Sequence, residues 1–205
     1  MTTRKTLKTP RSTAILSALA AAVLMSGGIF TIPAGNARAA ETTCPADAPA
    51  LPKFKPADPA ITPVTASFQT SDGTPVTVAD VAGKRGAVIN FWATWCAPCI
   101  KEMPELDALK ATLADDGISV ITVSQDRGGM EVVKPFFDKH GYKNLAIHLD
   151  PKAAFARANK VRGLPTTILY DATGREKGRL EGIAEWNAPN IVDFIRACLP
   201  SKSGR

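Results

Sequence analysis

Apolar positions change their period repeatedly along this chain, and each change marks a structural element. Alternation over 64–69 and 75–79, on either side of Ser71-Asp72-Gly73-Thr74, predicts a β-hairpin with Asp-Gly turn chemistry. After the loop Gly83-Lys84-Arg85-Gly86, the unbroken run Ala87-Val88-Ile89-Asn90-Phe91-Trp92 predicts a strand buried on both faces. Met103, Leu106, Leu109 and Leu113 then follow a helical spacing, which predicts a helix over 98–113 ended by Asp115-Asp116-Gly117. A strand is expected over 118–124, a helix over 130–140, a short strand over 145–149 and a short helix over 153–159. Strands over 166–170 and 175–181 flank the turn Asp171-Ala172-Thr173-Gly174, and 188–199 close the chain as a helix. Strands alternating with helices, then a hairpin and a helix, predict an α/β fold with a central mixed sheet covered on both faces.

Before this patterned region the sequence reads differently. Pro45, Pro49, Pro52, Pro56, Pro59 and Pro63 recur every three or four residues, which favours extended chain over helix or sheet. The expected organisation is a leader over 1–39, a proline-rich arm over 40–60, a folded domain over 61–199 and a polar tail over 200–205. The arm is expected to act as a stiff spacer or wrapping segment, outside the folded core.

Charge alters the picture by its location. The formal net charge is +6 over 205 residues, which invites a nucleic-acid partner. Arg4, Lys5, Lys8, Arg11 and Arg38 all fall in the leader, and without them 20 basic residues face 19 acidic ones. A near-neutral body has no electrostatic footprint for a phosphate backbone, so no nucleic-acid partner is expected. The leader pairs its basic start with an apolar stretch over 14–25 that extends weakly to 32, then Pro33 and Gly35, then Ala37-Arg38-Ala39. This is the pattern of an export signal cleaved before Ala40 or Glu41. An uncut N-terminal membrane anchor is the alternative, because 14–32 is almost long enough to span a bilayer. Either way the body is expected outside the cytoplasm, in the periplasm of a Gram-negative host, where disulfides persist.

Trp95-Cys96-Ala97-Pro98-Cys99 lies between the buried strand and the helix after it. A cysteine in the first turn of a helix faces unpaired backbone N–H groups and the positive end of the helix dipole, and both favour the thiolate. The thiolate is the species that attacks a disulfide. Cys96 is therefore expected to be the exposed nucleophile and Cys99 the more buried resolving thiol. Pro98 suits the early helix, where its missing N–H is not needed. A lone C-x-x-C is also half of a zinc site, but no second pair completes it, and His140 and His148 stand apart. Neither metal nor cofactor is expected.

Phe91-Trp92-Ala93-Thr94-Trp95-Cys96-Ala97-Pro98-Cys99 resembles the active-site stretch of thioredoxins. Ile100-Lys101-Glu102-Met103-Pro104 and Gly163-Leu164-Pro165-Thr166-Thr167 resemble the TlpA/ResA/CcmG branch of exported thioredoxin-like proteins. Ala184-Glu185-Trp186 adds to the likeness with its TlpA-like members. The resemblance covers about 61–199. It implies a thioredoxin fold with an added N-terminal β-hairpin, and protein-disulfide reduction through Cys96 and Cys99. It implies a cis-Pro165, beside which the backbone pairs with an incoming substrate strand, and substrate contacts from Trp95, Ala97, Pro98, Leu164 and Pro165. Asn90 stands where thioredoxins carry a buried aspartate. An amide exchanges no proton at physiological pH, and the resemblance implies that Glu102, three residues after Cys99, takes that part.

Cys44 and Cys198 lie at opposite ends of the mature chain, and their simplest pairing is a structural disulfide tying the arm to the last helix. Two separate thiols remain the alternative, since four cysteines allow three connectivities. The function expected is a monomeric periplasmic reductant of selected exported proteins, in cytochrome c or respiratory-oxidase maturation. Its partners are disulfide-containing protein substrates and a membrane electron donor that re-reduces the pair. A disulfide-donating oxidant, a copper- or haem-binding chaperone using the same thiols and, more remotely, a peroxidase are the rival readings.

Overall fold

A strand forms where none was expected, inside the proline-studded arm. In the computed structural model, which describes residues 44–45, 51–58 and 62–201, β1 (Phe54–Pro56) pairs antiparallel with Leu180, Arg179 and Gly178. Leu51 and Cys44 are buried as well. The expectation that the arm stays outside the folded core is thus corrected. Proline is tolerated on a sheet edge, where its missing N–H leaves no ladder bond unmade, and β1 is an edge strand. The close approach also needs Gly178, because a Cβ there would come within 2.3 Å of the Phe54 ring. The leader with its apolar stretch, the cleavage pattern and residues 202–205 lie outside the described residues. Among the described residues no helix is long and apolar enough to cross a membrane.

The predicted hairpin is β2 (Phe68–Thr70) and β3 (Pro75–Val76), shorter than expected because Val78–Val81 forms a helical turn, α1. The Asp80 carboxylate draws the chain into that turn by accepting from the Thr77 N–H at 2.8 Å. Then follow β4 (Gly86–Trp92), α2 (Ala97–Thr112), β5 (Ile118–Ser124), α3 (Met130–His140) and β6 (Ile147–Leu149). The chain continues with α4 (Ala154–Ala158), β7 (Thr166–Asp171), β8 (Glu176–Glu181) and α5 (Pro189–Cys198). Most of these elements lie within two residues of the periods that predicted them.

Among the described residues all eight strands form one sheet in the order β1-β8-β7-β4-β5-β6-β2-β3. β4 runs parallel to β5, and β5 to β6; every other pairing is antiparallel. The hairpin and the arm therefore extend opposite edges of the sheet. Every residue of β4 is buried, and its side chains alternate between two apolar layers. Val88 and Trp92 join the layer of Met103, Leu106, Leu109, Val133, Phe137 and Ile195, beneath α2, α3 and α5. Ala87, Ile89 and Phe91 join Ile121, Val123, Phe155 and Ile168 on the other side. By that alternation Asn90, the one polar residue in the run, is placed on the α2 side. Cys44 and Cys198 are joined in a disulfide with Cα atoms 4.3 Å apart, and Phe54 meets Phe194 edge to face at 4.9 Å. One covalent bond and one aromatic contact therefore fasten the arm to α5.

Candidate active site

β4 delivers the loop that carries the cysteines, and α2 receives it. Cys96 is the N-cap of α2, and its sulfur accepts from the Cys99 N–H at 3.3 Å. This is one of the backbone donors that a helix start leaves unpaired, and it aligns the sulfur with the positive end of the dipole. Pro98 sits in the first turn. Cys96 and Cys99 are joined as a disulfide of 2.01 Å. Cys99 has no exposed surface, as expected, but Cys96 is only 5% exposed, which corrects the expectation of an exposed nucleophile. The solvent face around the pair belongs instead to Ala97, Pro98 and Trp95, whose side chain is 70% exposed.

One turn beyond Cys99, Glu102 points into the core and is 3% exposed. Its Oε1 accepts from Asn90 Nδ2 at 2.7 Å and its Oε2 from Trp186 Nε1 at 2.8 Å. Burial pushes the carboxyl up to about 7, with a small further push from the Glu105 charge. The bonds from Trp186, Asn90 and the Ala184 N–H pull the other way without prevailing. A carboxyl poised near neutrality exchanges protons at physiological pH, which an ordinary surface glutamate does not. Residues at i and i+3 are neighbours on a helix, so Cys99 and Glu102 share one face of α2.

Strand pairing brings the third motif to the same end of the sheet. Thr166 and Thr167 lie opposite Phe91 and Asn90, so Pro165 sits just beyond the end of the strand that leads to Cys96. The Leu164–Pro165 peptide is cis. Pro165 is buried, and its carbonyl accepts from the Gly182 N–H at 2.9 Å. Leu164 is half-buried and packs against the apolar layer that contains both cysteines. Among the described residues no intrachain hydrogen bond engages the backbone N–H or C=O of Leu164.

Two parts of the site escaped the sequence reading. Asp126 is 4% exposed, and its carboxylate accepts from the Thr94 N–H at 2.9 Å, the Thr94 hydroxyl at 2.7 Å and the Ser124 hydroxyl at 2.7 Å. It thereby clamps the loop that presents Cys96. Its only signal was an acidic residue just past a strand end, which reads as ordinary turn chemistry. Trp186 entered through resemblance alone; its indole, 1% exposed, is what holds Glu102 from the far side. No group of three or more His, Cys, Asp and Glu side chains able to hold a metal gathers among the described residues.

A buried cysteine pair heading a helix, a near-neutral acid one turn on and a cis-proline at the same sheet end define a dithiol–disulfide exchange site on a thioredoxin-like fold. The family model described as Redoxin matches residues 46–192, and the chain belongs to that family. Within it the chain is a thiol–disulfide oxidoreductase of the ResA-like kind. It is 33% identical over 129 residues to "Thiol-disulfide oxidoreductase ResA" of Bacillus thuringiensis (strain Al Hakam), covering 63% of this chain and 72% of that one. The fold is shared with the pneumococcal exposed lipoprotein thioredoxin Etrx1 of Streptococcus pneumoniae strain TIGR4, at a TM-score of 0.53 and 24% identity over 63% of this chain and 96% of that one. A thioredoxin-family thiol:disulfide interchange protein of Chlorobium tepidum TLS matches at a TM-score of 0.53 and 23% identity, over 70% of this chain and 100% of that one.

Proposed function

We propose that this protein is a periplasmic reductant that passes two electrons from its Cys96–Cys99 dithiol to disulfides of selected exported proteins. The observation that carries the reading is Glu102, buried one turn past Cys99 with its carboxyl pushed up to about 7. The Cys96 thiolate attacks the substrate disulfide, forms a mixed disulfide and expels one substrate thiolate. The Cys99 thiol then gives its proton to the Glu102 carboxylate, and its sulfur attacks Cys96 Sγ. The Cys96–Cys99 bond forms, the second substrate sulfur leaves, and Glu102 returns the proton. The free backbone groups of Leu164, next to cis-Pro165, support pairing with a short substrate strand. Trp95, Ala97 and Pro98 form the contact rim.

The setting is the maturation of cytochrome c or a respiratory oxidase, where haem- or copper-binding cysteines must stay reduced. The protein works there as an exported monomer, re-reduced by a membrane electron donor. The basic and apolar leader with its small-residue cleavage pattern supports export. A Cys99→Ser variant, which cannot resolve the mixed disulfide, tests the setting when its captured partners are identified from cells. Cytochrome c or oxidase-assembly proteins are expected; a broad pool of secreted proteins overturns the selectivity. The direction of electron flow is tested by the reduction potential, expected near thioredoxin's, about −270 mV. A potential close to that of a strong oxidant, about −120 mV, reverses the assignment.

A further inference from the structure

Asn90 stands at the centre of the polar cluster in this core, and its amide is only half used. Nδ2 donates to Glu102 Oε1 at 2.7 Å and to Thr167 Oγ1 at 2.9 Å. Oδ1 has no partner, although the residue has no exposed surface. A buried carbonyl oxygen without a donor is a standing penalty, and it leaves that atom available as an acceptor.

The observed arrangement fits one charge state of Glu102 and not the other. As a carboxylate, Glu102 only accepts, and Asn90 Nδ2 and Trp186 Nε1 serve its two oxygens. As a carboxylic acid it must also donate, and both of those groups are themselves donors. An unused acceptor stands on the very amide that already touches Oε1, Asn90 Oδ1. The two ends of an amide are almost equal in size, so a half-turn of the group needs no repacking. After it, Oδ1 accepts from the Glu102 O–H and from the Thr167 hydroxyl, which donates as readily as it accepts. Nδ2 takes the unpartnered place, so the number of unpaired ends of the amide is the same in both states.

We propose that Asn90 is a positioning residue for Glu102 whose amide turns over with the carboxyl's charge, Nδ2 facing the carboxylate and Oδ1 facing the acid. The proposal rests on the reading of Glu102 as the acid that exchanges protons with the cysteine pair. The titratable groups that bear on Glu102 are Glu105 on the same helix and, once reduced, Cys96 and Cys99 at its head. β4, β7 and the loop after β8 contribute Asn90, Thr167, Trp186 and the Ala184 N–H, none of which titrates near neutrality. Asn90 thereby supplies a partner to both states of a carboxyl that must take a proton and give it back. It also relays the change to Thr167, two residues past cis-Pro165.

The test is NMR on the reduced full-length chain from about pH 5 to pH 9, a window that spans neutrality. The side-chain NH2 resonances of Asn90 are expected to shift with the midpoint of the Glu102 carboxyl carbon, and to stop shifting in Glu102→Gln. A Glu102 carboxyl that titrates beside an unmoved Asn90 amide overturns the turnover and leaves the proton-exchange reading intact. A Glu102 carboxyl that does not titrate in the window overturns both.

Discussion

Asn90 Nδ2 lies 2.7 Å from Glu102 Oε1, in a part of the core where Asn90 has no exposed surface and Glu102 almost none. An amide on the central strand thus supports an acid on the helix, where a single residue on the strand would otherwise have to provide the acid. The proton-handling group sits on the same helix as the thiols it serves, and the strand beneath supplies a donor. The consequences can be measured.

Removing the acid should flatten the pH dependence of exchange. Glu102 has its carboxyl pushed up to about 7, so the base that takes the Cys99 proton is abundant above that pH and scarce below it. Mixed-disulfide resolution in the native protein should therefore slow as pH falls through 7. In Glu102→Gln it should be about 100-fold slower at neutral pH, the lower end for loss of general base catalysis, and lack that limb. Stopped-flow thiol release from a small disulfide across the pH range is the measurement. An unchanged profile removes Glu102 from the mechanism.

The same carboxyl should make stability depend on pH. Its folded value, about 7, lies above the ordinary 4.5, so the folded state holds the proton more tightly. The contribution of this carboxyl is fully present below about 4.5, and roughly 3 kcal/mol of it is lost as the pH rises through 7. Glu102→Gln should lack that loss and gain on the native protein between pH 5 and pH 8. Urea unfolding at those two values gives the difference.

Asp126 should matter through the loop it holds. Asp126→Ala leaves the Thr94 N–H, the Thr94 hydroxyl and the Ser124 hydroxyl without their acceptor, which should cost about 3 kcal/mol. Insulin reduction should fall as well, because Cys96 follows Thr94 by two residues. Denaturant unfolding and turnover, measured on the same preparation, check both effects.

The two cysteine pairs should separate cleanly. Cys44→Ala with Cys198→Ala opens a loop of sequence separation 154 and should lower stability by about 5 kcal/mol in the chain-entropy model. Disulfide reductase activity at low temperature should survive, since Cys96 and Cys99 are joined to each other. Loss of activity in a folded double variant would show that the arm acts on the site.

Two tryptophans three residues apart should behave in opposite ways. Trp92 is fully buried, and Trp92→Ala should cost about 3–5 kcal/mol of stability. Trp95 is 70% exposed, and Trp95→Ala should leave stability within about 0.5 kcal/mol while raising KM for protein substrates. Thermal melts and insulin kinetics distinguish them.

Most elements were legible because their signals are local. The apolar run 87–92, the helical spacing after Cys99 and the Asp-Gly and Asp-x-x-Gly turns each constrain a few neighbouring residues, and the structure places elements there. β1 was not legible, since a proline-rich stretch gives no strand period. It forms because an edge strand tolerates proline and because Gly178, more than a hundred residues on, leaves room for Phe54. Asp126 and Trp186 were missed as parts of the site for the same reason: each acts on a residue distant in sequence.

By itself the sequence determined the class of chemistry and the order of the elements. A C-x-x-C between a buried strand and a helix places two sulfurs at a helix N-terminus wherever the rest of the chain lies, because helix geometry is local. Only the tertiary structure decided that Asn90 and Glu102 would touch, that Trp186 would close the cluster and that Cys96 would be buried beside an exposed Trp95. Those outcomes depend on strand register and helix packing, which bring together groups 12 and 84 residues apart. The pressure toward neutrality on Glu102 is likewise a property of the assembled core. A glutamate in solution has no burial to shift it, and the low-dielectric surroundings that do so exist only once the sheet and helices have closed over it.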